Sequence, residues 1–233
     1  MTENNFIEEL KKINIELTTD QLKQLERYYE LLVEWNEKIN LTAITKKEDV
    51  YLKHFYDSLT MNKIVDLSKV ETMCDIGTGA GFPGLVIKIA FPNIKMTLVD
   101  ALEKRIKFLN EVIKELGLTN IETVHARSEE YAKVNRNKFD VTTARAVAHL
   151  SVLLEYAIPM TKINGNFIAM KANVTEELEE SKNALSKLFS KITGKIEFEL
   201  PNENGQRTII KIEKNKDNNL FPRKYAEIKK KRL

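Results

Sequence analysis

The chain has 233 residues, 42% of them hydrophobic and 30% charged, which is enough to bury one sizeable core with at most a smaller appendage. Its single cysteine, Cys74, excludes an internal disulfide, suggests neither metal nor redox chemistry and reads as a small buried filler. A net charge of +3 is too mild to demand a nucleic-acid partner by itself, and with no apolar run near the length of a membrane span the chain is expected to be cytoplasmic, with no membrane partner.

The start, MTENNFIEELKK, is amphipathic and lacks the apolar centre of a signal peptide, so the sequons at Asn40 and Asn173 carry no glycosylation meaning. Thr18 and Gln21 have capping-box spacing. Leu22, Leu25, Tyr28, Tyr29, Leu32, Trp35 and Ile39 then form one apolar stripe at helical spacing, with Asn40 as its stop. A second helical region is expected from about Lys47 to Val65, with Val50, His54, Asp57, Ser58 and Met61 on its repeat. Residues 1–69 therefore read as a helical extension packed on the core of the chain.

After Val70 short β-rich runs alternate with amphipathic helices, the pattern of a parallel sheet covered on both faces. Strands are expected at Glu71 to Ile76, Lys95 to Val99, Ile121 to His125, Phe139 to Thr143 and Asn166 to Met170. Helices are expected near Pro83 to Phe91, Ala101 to Leu116, Ser128 to Val134, Leu150 to Ile158 and Thr175 to Ser190. KIEFEL (Lys195 to Leu200) and RTIIKIEK (Arg207 to Lys214) are joined by PNENGQ, too short for a crossover helix, and so pair as an antiparallel hairpin. The expected fold is α/β, a mostly parallel seven-stranded sheet over residues 70–214 with that hairpin at its end. Residues 215–233 form a tail whose last eleven positions, from Arg223, hold six basic residues and one acid, Glu227. It reads either as a phosphate-neutralising arm or as a frayed terminus.

The first strand runs into CDIGTGAGFPG, Cys74 to Gly84. A glycine-rich strand-to-helix turn lets backbone approach a ligand closely. Gly77 and Gly79 are followed by Gly84 rather than by a glycine three places on, and position 82 is phenylalanine, so the dinucleotide register is not met. Asp75, just before Gly77, suits a ligand carrying ammonium and sulfonium charge. Asp100, closing the second strand, can accept from ribose hydroxyls or brace the next helix. Ser128 and Glu129 after the third strand either start a helix or read an adenine. Arg145, after the fourth, sits in a small-residue run where an arginine needs a partner and so is a candidate for cofactor or substrate. The histidines His54, His125 and His149 are scattered and form no catalytic constellation with the acids or the cysteine.

In six ordered blocks the chain resembles the RsmG (GidB) family of bacterial 16S ribosomal RNA guanine-N7 methyltransferases, over nearly its whole length. The blocks are WNEKINLTAIT (Trp35 to Thr45), KHFYDSL (Lys53 to Leu59), DIGTGAGFPG (Asp75 to Gly84), VDALEKRIKFL (Val99 to Leu109), TTARAVAHL (Thr142 to Leu150) and FPRK (Phe221 to Lys224). The resemblance implies a Rossmann-like class I S-adenosylmethionine-dependent methyltransferase that modifies 16S ribosomal RNA or the small ribosomal subunit. It carries cofactor positions onto Gly77, Phe82, Ser128, Glu129 and Arg145, beside Asp75, Gly79 and Asp100 from the glycine loop and the second strand. Arg145, Lys171, Arg223 and the basic tail are candidate RNA contacts; His54 and Asp57, one helical turn apart, belong either to the substrate face or to a helix-stabilising pair, and a monomer without a metal is expected. The chain departs from the family pattern at Phe221, where tyrosine is usual, and at Ala172, where glycine tends to follow the lysine. A nicotinamide-dependent oxidoreductase is disfavoured by the hairpin and the glycine register; a ribosome-assembly factor acting by RNA binding alone is the non-enzymatic alternative.

Overall fold

The structure, a computed structural model, describes residues 1–145, 148–172, 174–202 and 205–233. Asn173 of the second sequon, Ala146 beside Arg145, and Glu203 and Asn204 of the hairpin connection lie outside the described residues. The helix α1 (Glu3–Lys11) is capped by Thr2, and α2 (Thr19–Ile39) by the Thr18–Gln21 capping box, with Asn40 in the left-handed conformation as its stop. The region expected as one helix from Lys47 changes pitch three times: α3 (Lys47–Val50), a π-helical segment (Tyr51–Tyr56), α4 (Asp57–Leu59) and a 3₁₀ turn (Thr60–Lys63).

The remaining elements are β1 (Thr72–Ile76), α5 (Gly84–Ala90), β2 (Lys95–Asp100), α6 (Glu103–Glu115), β3 (Ile121–His125), α7 (Ser128–Val134), β4 (Phe139–Arg145), α8 (Leu150–Met160), β5 (Thr161–Lys171), α9 (Thr175–Glu180), α10 (Lys182–Lys187), β6 (Ser190–Glu199), β7 (Gln206–Lys214) and α11 (Tyr225–Lys230). The helix expected over Thr175 to Ser190 is thus two short ones meeting at Ser181. The described strands form one sheet in the order β3-β2-β1-β4-β5-β7-β6. β1 to β5 pair in parallel, whereas β7 runs antiparallel to both β5 and β6.

Side chains alternate across the sheet, so successive residues of one strand serve two cores. Met73, Leu98, Val141, Ile168 and Ile209 join Leu85, Phe108 and the apolar stripe of α2 in one cluster. Cys74, Val99, Ala144, Ala169 and Ile210 join Ala132, Leu154 and Ile228 in the other. The helical extension therefore shares its core with one face of the sheet. It is also tied there by Gln21 Nε2, which donates to the carbonyls of Ile89 and Ala90. The C-terminal segment is docked on the opposite face rather than frayed. Ile228 is 2% exposed, and Arg136 grips Asp217 and the Phe221 carbonyl.

Candidate active site

The parallel strands end side by side, so residues far apart in sequence line one edge of the sheet. Gly77 follows β1, Asp100 closes β2, Ser128 follows β3, Arg145 closes β4 and Lys171 closes β5. Because β7 is antiparallel, its beginning lies at this edge, with Thr208 opposite Lys171 and Arg207 just before it. The order reverses between β1 and β4, and the crevice that such a switch point opens is where α/β sheets take ligands.

The loop after β1 is a stack of left-handed glycines, Gly77, Gly79 and Gly81, folded back so that the amides of Gly77 and Thr78 donate to the Val99 carbonyl. Asp75 holds this shape from beneath: its Oδ2 accepts from the Gly84 amide at 2.8 Å and the Thr78 hydroxyl at 2.7 Å. It is fully buried, which drives its pKa up to about 6 against those two bonds. Asp75 does not line the cavity, and its Oδ2 is committed to the loop. Asp100 combines an accepting face with its bracing role in one carboxylate. Oδ1 accepts from the Leu102 amide, while Oδ2 accepts from the Gly79 amide at 2.9 Å and meets Arg105 at 3.3 Å.

Tyr28 of α2 reaches the loop from behind, its hydroxyl donating to the Ala80 carbonyl and its ring stacking on Phe82 at 5.5 Å. Phe82 also stacks on His54, centroids 4.3 Å apart and planes within 16°, and carries the Arg145 guanidinium at 5.2 Å. Arg145 donates to the Lys53 carbonyl, to Asp57 Oδ2 at 3.0 Å and to His54 Nδ1 at 3.2 Å. That last bond sets the tautomer: Nδ1 accepts, so Nε2 bears the proton and donates to the Thr42 hydroxyl. Burial, and then the Arg145 charge, lower the His54 pKa to about 3.

These side chains border a cavity of about 600 Å³. Lys53, Arg105, Arg145, Lys171 and Arg207 line it against a single lining carboxylate among the described residues, Asp57; with Asp49, Asp100 and Glu177 paired to Lys53, Arg105 and Lys171 just outside the lining, the wall keeps a modest positive excess. Gly77, Gly79, Phe82, His54, Arg145 and Lys171, each named from the sequence, come together here. Ser128 and Glu129 stand one strand further out, beyond Asp100. Ser128 is the first residue of α7 rather than its cap, which is Arg127, and Glu129 is 3% exposed. Arg223 lines no part of the cavity: its backbone amide, Nε and Nη2 donate to the buried carboxylate of Glu155. Lys171 faces the cavity with its Nζ held by the Ala148 carbonyl and Glu177. Sequence reasoning missed Arg207, whose only signal was its position at the start of the returning hairpin strand, and Tyr28, which reads there as one more stripe residue.

Two carboxylate oxygens, Asp75 Oδ1 and Glu129 Oε1, are buried without a hydrogen-bond partner among the described residues. Those described residues hold no cluster of acids, histidines and cysteine suited to a metal ion, and no helix among them is long and apolar enough to cross a membrane.

The fold is similar to that of the mitomycin 7-O-methyltransferase MmcR, with a TM-score of 0.58 at 17% identity over 80% of this chain and 60% of that one. It is also similar to the M. jannaschii TYW2 solved in complex with AdoMet, with a TM-score of 0.51 at 16% identity over 62% and 69%. In sequence, residues 21–210 match the profile of GidB, rRNA small subunit methyltransferase G. The ribosomal RNA small subunit methyltransferase G of an Exiguobacterium species is 50% identical over 228 residues, 96% of each chain. With a profile match that takes in the glycine loop and the whole cavity lining and ends inside β7, and a relative sharing one residue in two along almost its full length, this chain belongs to the GidB family of small-subunit rRNA methyltransferases.

Proposed function

We propose that the cavity holds S-adenosylmethionine against a guanine of small-subunit ribosomal RNA and that N7 of that base receives the methyl group. S-adenosylmethionine, when bound, supplies an electrophilic methyl on a sulfonium. The donor set fits it. Just outside the cavity lining, Glu129, with an unpaired oxygen in the first turn of α7, suits the amino group of an adenine and Asp100 suits ribose hydroxyls; on the lining, Gly77 and Gly79, their amides committed to Val99 and Asp100, have no side chain to obstruct the amino-acid end. Ser128, Phe82 and Arg145 complete that half of the site.

The observation that carries the reading is the state of His54. It is the imidazole that lines the cavity, and its lone pair is committed to a permanently charged guanidinium. Such a group takes no proton from an acceptor. Guanine N7 needs no base, since it presents a lone pair on the major-groove edge of the base, whereas methylation of an amino group or hydroxyl loses a proton. What the chain supplies is therefore orientation and exclusion of water: Phe82 and His54 form one wall, and Lys53, Lys171 and Arg207 hold the phosphates beside it. A helical major groove in RNA is too narrow for these side chains, so the target guanine is taken unstacked.

The test is transfer of labelled methyl from S-adenosylmethionine to small-subunit RNA from cells lacking the enzyme, mapped by reverse-transcription stops after borohydride and aniline. Label at one guanine N7 is the expected result. Label on another base position, on protein, or nowhere overturns the reading.

A further inference from the structure

We propose that Asp57 is a positioning residue for the RNA acceptor, a single anion that sets the distance and aim of two arginines at the cavity; the proposal rests on methyl transfer to RNA as the activity. Asp57 opens α4, immediately after the π-helical segment that carries His54. Its side chain is 6% exposed, and its two oxygens are divided between two partners: Oδ2 with Arg145 Nη1 and Oδ1 with Arg207 Nε, each at 3.0 Å. Those partners sit on strands that are not neighbours. Arg145 ends β4 and Arg207 starts β7, with β5 between them, so adjacent strand spacing puts their backbones about 10 Å apart. The carboxylate bridges over the end of β5, where Lys171 and Ala172 line the cavity.

Asp217 also serves two cations, Arg136 and Lys214, but none of those residues lines the cavity. Here one carboxylate serves two guanidiniums, leaving the triad with a net positive charge on the cavity wall. Two like charges would otherwise splay toward solvent, and shared binding to a rigid planar acceptor holds each by one edge only. Arg145 and Arg207 keep side-chain exposures of 14% and 22%, on the side that borders the cavity. Asp57 makes no hydrogen bond to the glycine loop among the described residues. It therefore acts on the acceptor through the arginines, and its own oxygens need not meet the substrate.

The experiment uses the full chain carrying Asp57→Asn, which keeps the shape and removes the charge. Expected is a fall in kcat on small-subunit RNA of about a hundredfold, the cost of a misplacement of roughly 1 Å. The dissociation constant for S-adenosylmethionine, read by calorimetry, rises by less than about tenfold, because Arg145 keeps the Lys53 carbonyl, His54 and Phe82 as partners, and affinity for RNA is unchanged or higher because a negative charge is gone. Asp57→Glu restores part of kcat. A mutant cycle guards against a general folding defect: in an Arg207→Gln background, Asp57→Asn costs less kcat than in the unmodified chain, since only Arg145 is left to misplace. A kcat close to that of the unmodified chain, additive losses in the cycle, or parallel collapse of cofactor and RNA binding with melting temperature overturns the proposal. An unmodified chain that binds S-adenosylmethionine and transfers nothing to RNA overturns instead the activity on which it rests.

Discussion

At the scale of single residues, the site holds two buried titratable groups with opposite pH behaviour. His54 has a folded pKa of about 3, below its ordinary 6.5, so the stability it contributes as a neutral ring is full above pH 6.5 and is lost as pH falls through the interval down to 3. Asp75 has a folded pKa of about 6, above its ordinary 3.8, so its contribution is full below pH 3.8 and is lost as pH rises through 6. Replacing Asp75 by Asn removes the buried charge while keeping an acceptor for Gly84 and Thr78. Thermal melts should show the unmodified protein losing up to about 3 kcal/mol relative to Asp75→Asn as pH rises from 3.8 to 6, by the equivalence of one pKa unit to about 1.4 kcal/mol. A stability difference flat across that interval would show that the carboxylate does not titrate there.

At the scale of elements, α2 belongs to the glycine loop as much as to the helical extension. Its Tyr28 hydroxyl fills the space beneath Gly81 so closely that a Cβ there would come within 2.6 Å of it, and within 2.5 Å of Leu85. Tyr28→Phe removes the bond to Ala80 and leaves the ring stack on Phe82. We expect a stability loss of about 1 kcal/mol, as for a typical buried hydrogen bond, and cofactor binding weakened about three- to tenfold in calorimetry because the loop relaxes. Unchanged affinity would separate the helix from the loop. Most of these elements were legible from periodicity, since alternation and helical spacing are local properties. The π-helical segment was not: its apolar residues Tyr51, Leu52, Phe55 and Tyr56 fit an ordinary helix equally well. The early start of β5 at Thr161 was masked by Asn164 and Gly165, which read as a turn but sit where the pairing with β4 shifts register. Within the site, the glycine loop and Asp100 could be read because their spacing in sequence is the chemistry. Asp57 meets Arg145 across 88 residues and Arg207 across 150, and no local pattern encodes such a meeting.

At the scale of the whole molecule, positive charge is arranged in two tiers. Arg223 and Arg136 are committed to acids and fasten the C-terminal segment to the sheet. Lys229, Lys230 and Lys231 remain exposed on and just beyond α11 and carry none of that fastening. Changing these three lysines to glutamine should leave the melting temperature unaltered and reduce the slope of log affinity against log salt for RNA by about 0.7 for each phosphate no longer neutralised. An unaltered slope would exclude the tail from the RNA interface. The antiparallel β7 adds a consequence of a different kind. Since it enters the edge at its beginning, one side of the cavity is lined by the first residues of a hairpin strand, Arg207 to Ile209, while another is lined by the βα turn after β1. A hairpin tip tolerates insertion and exchange that a buried crossover does not. Under the proposed function, a change at that returning strand would alter the acceptor while leaving the glycine loop undisturbed.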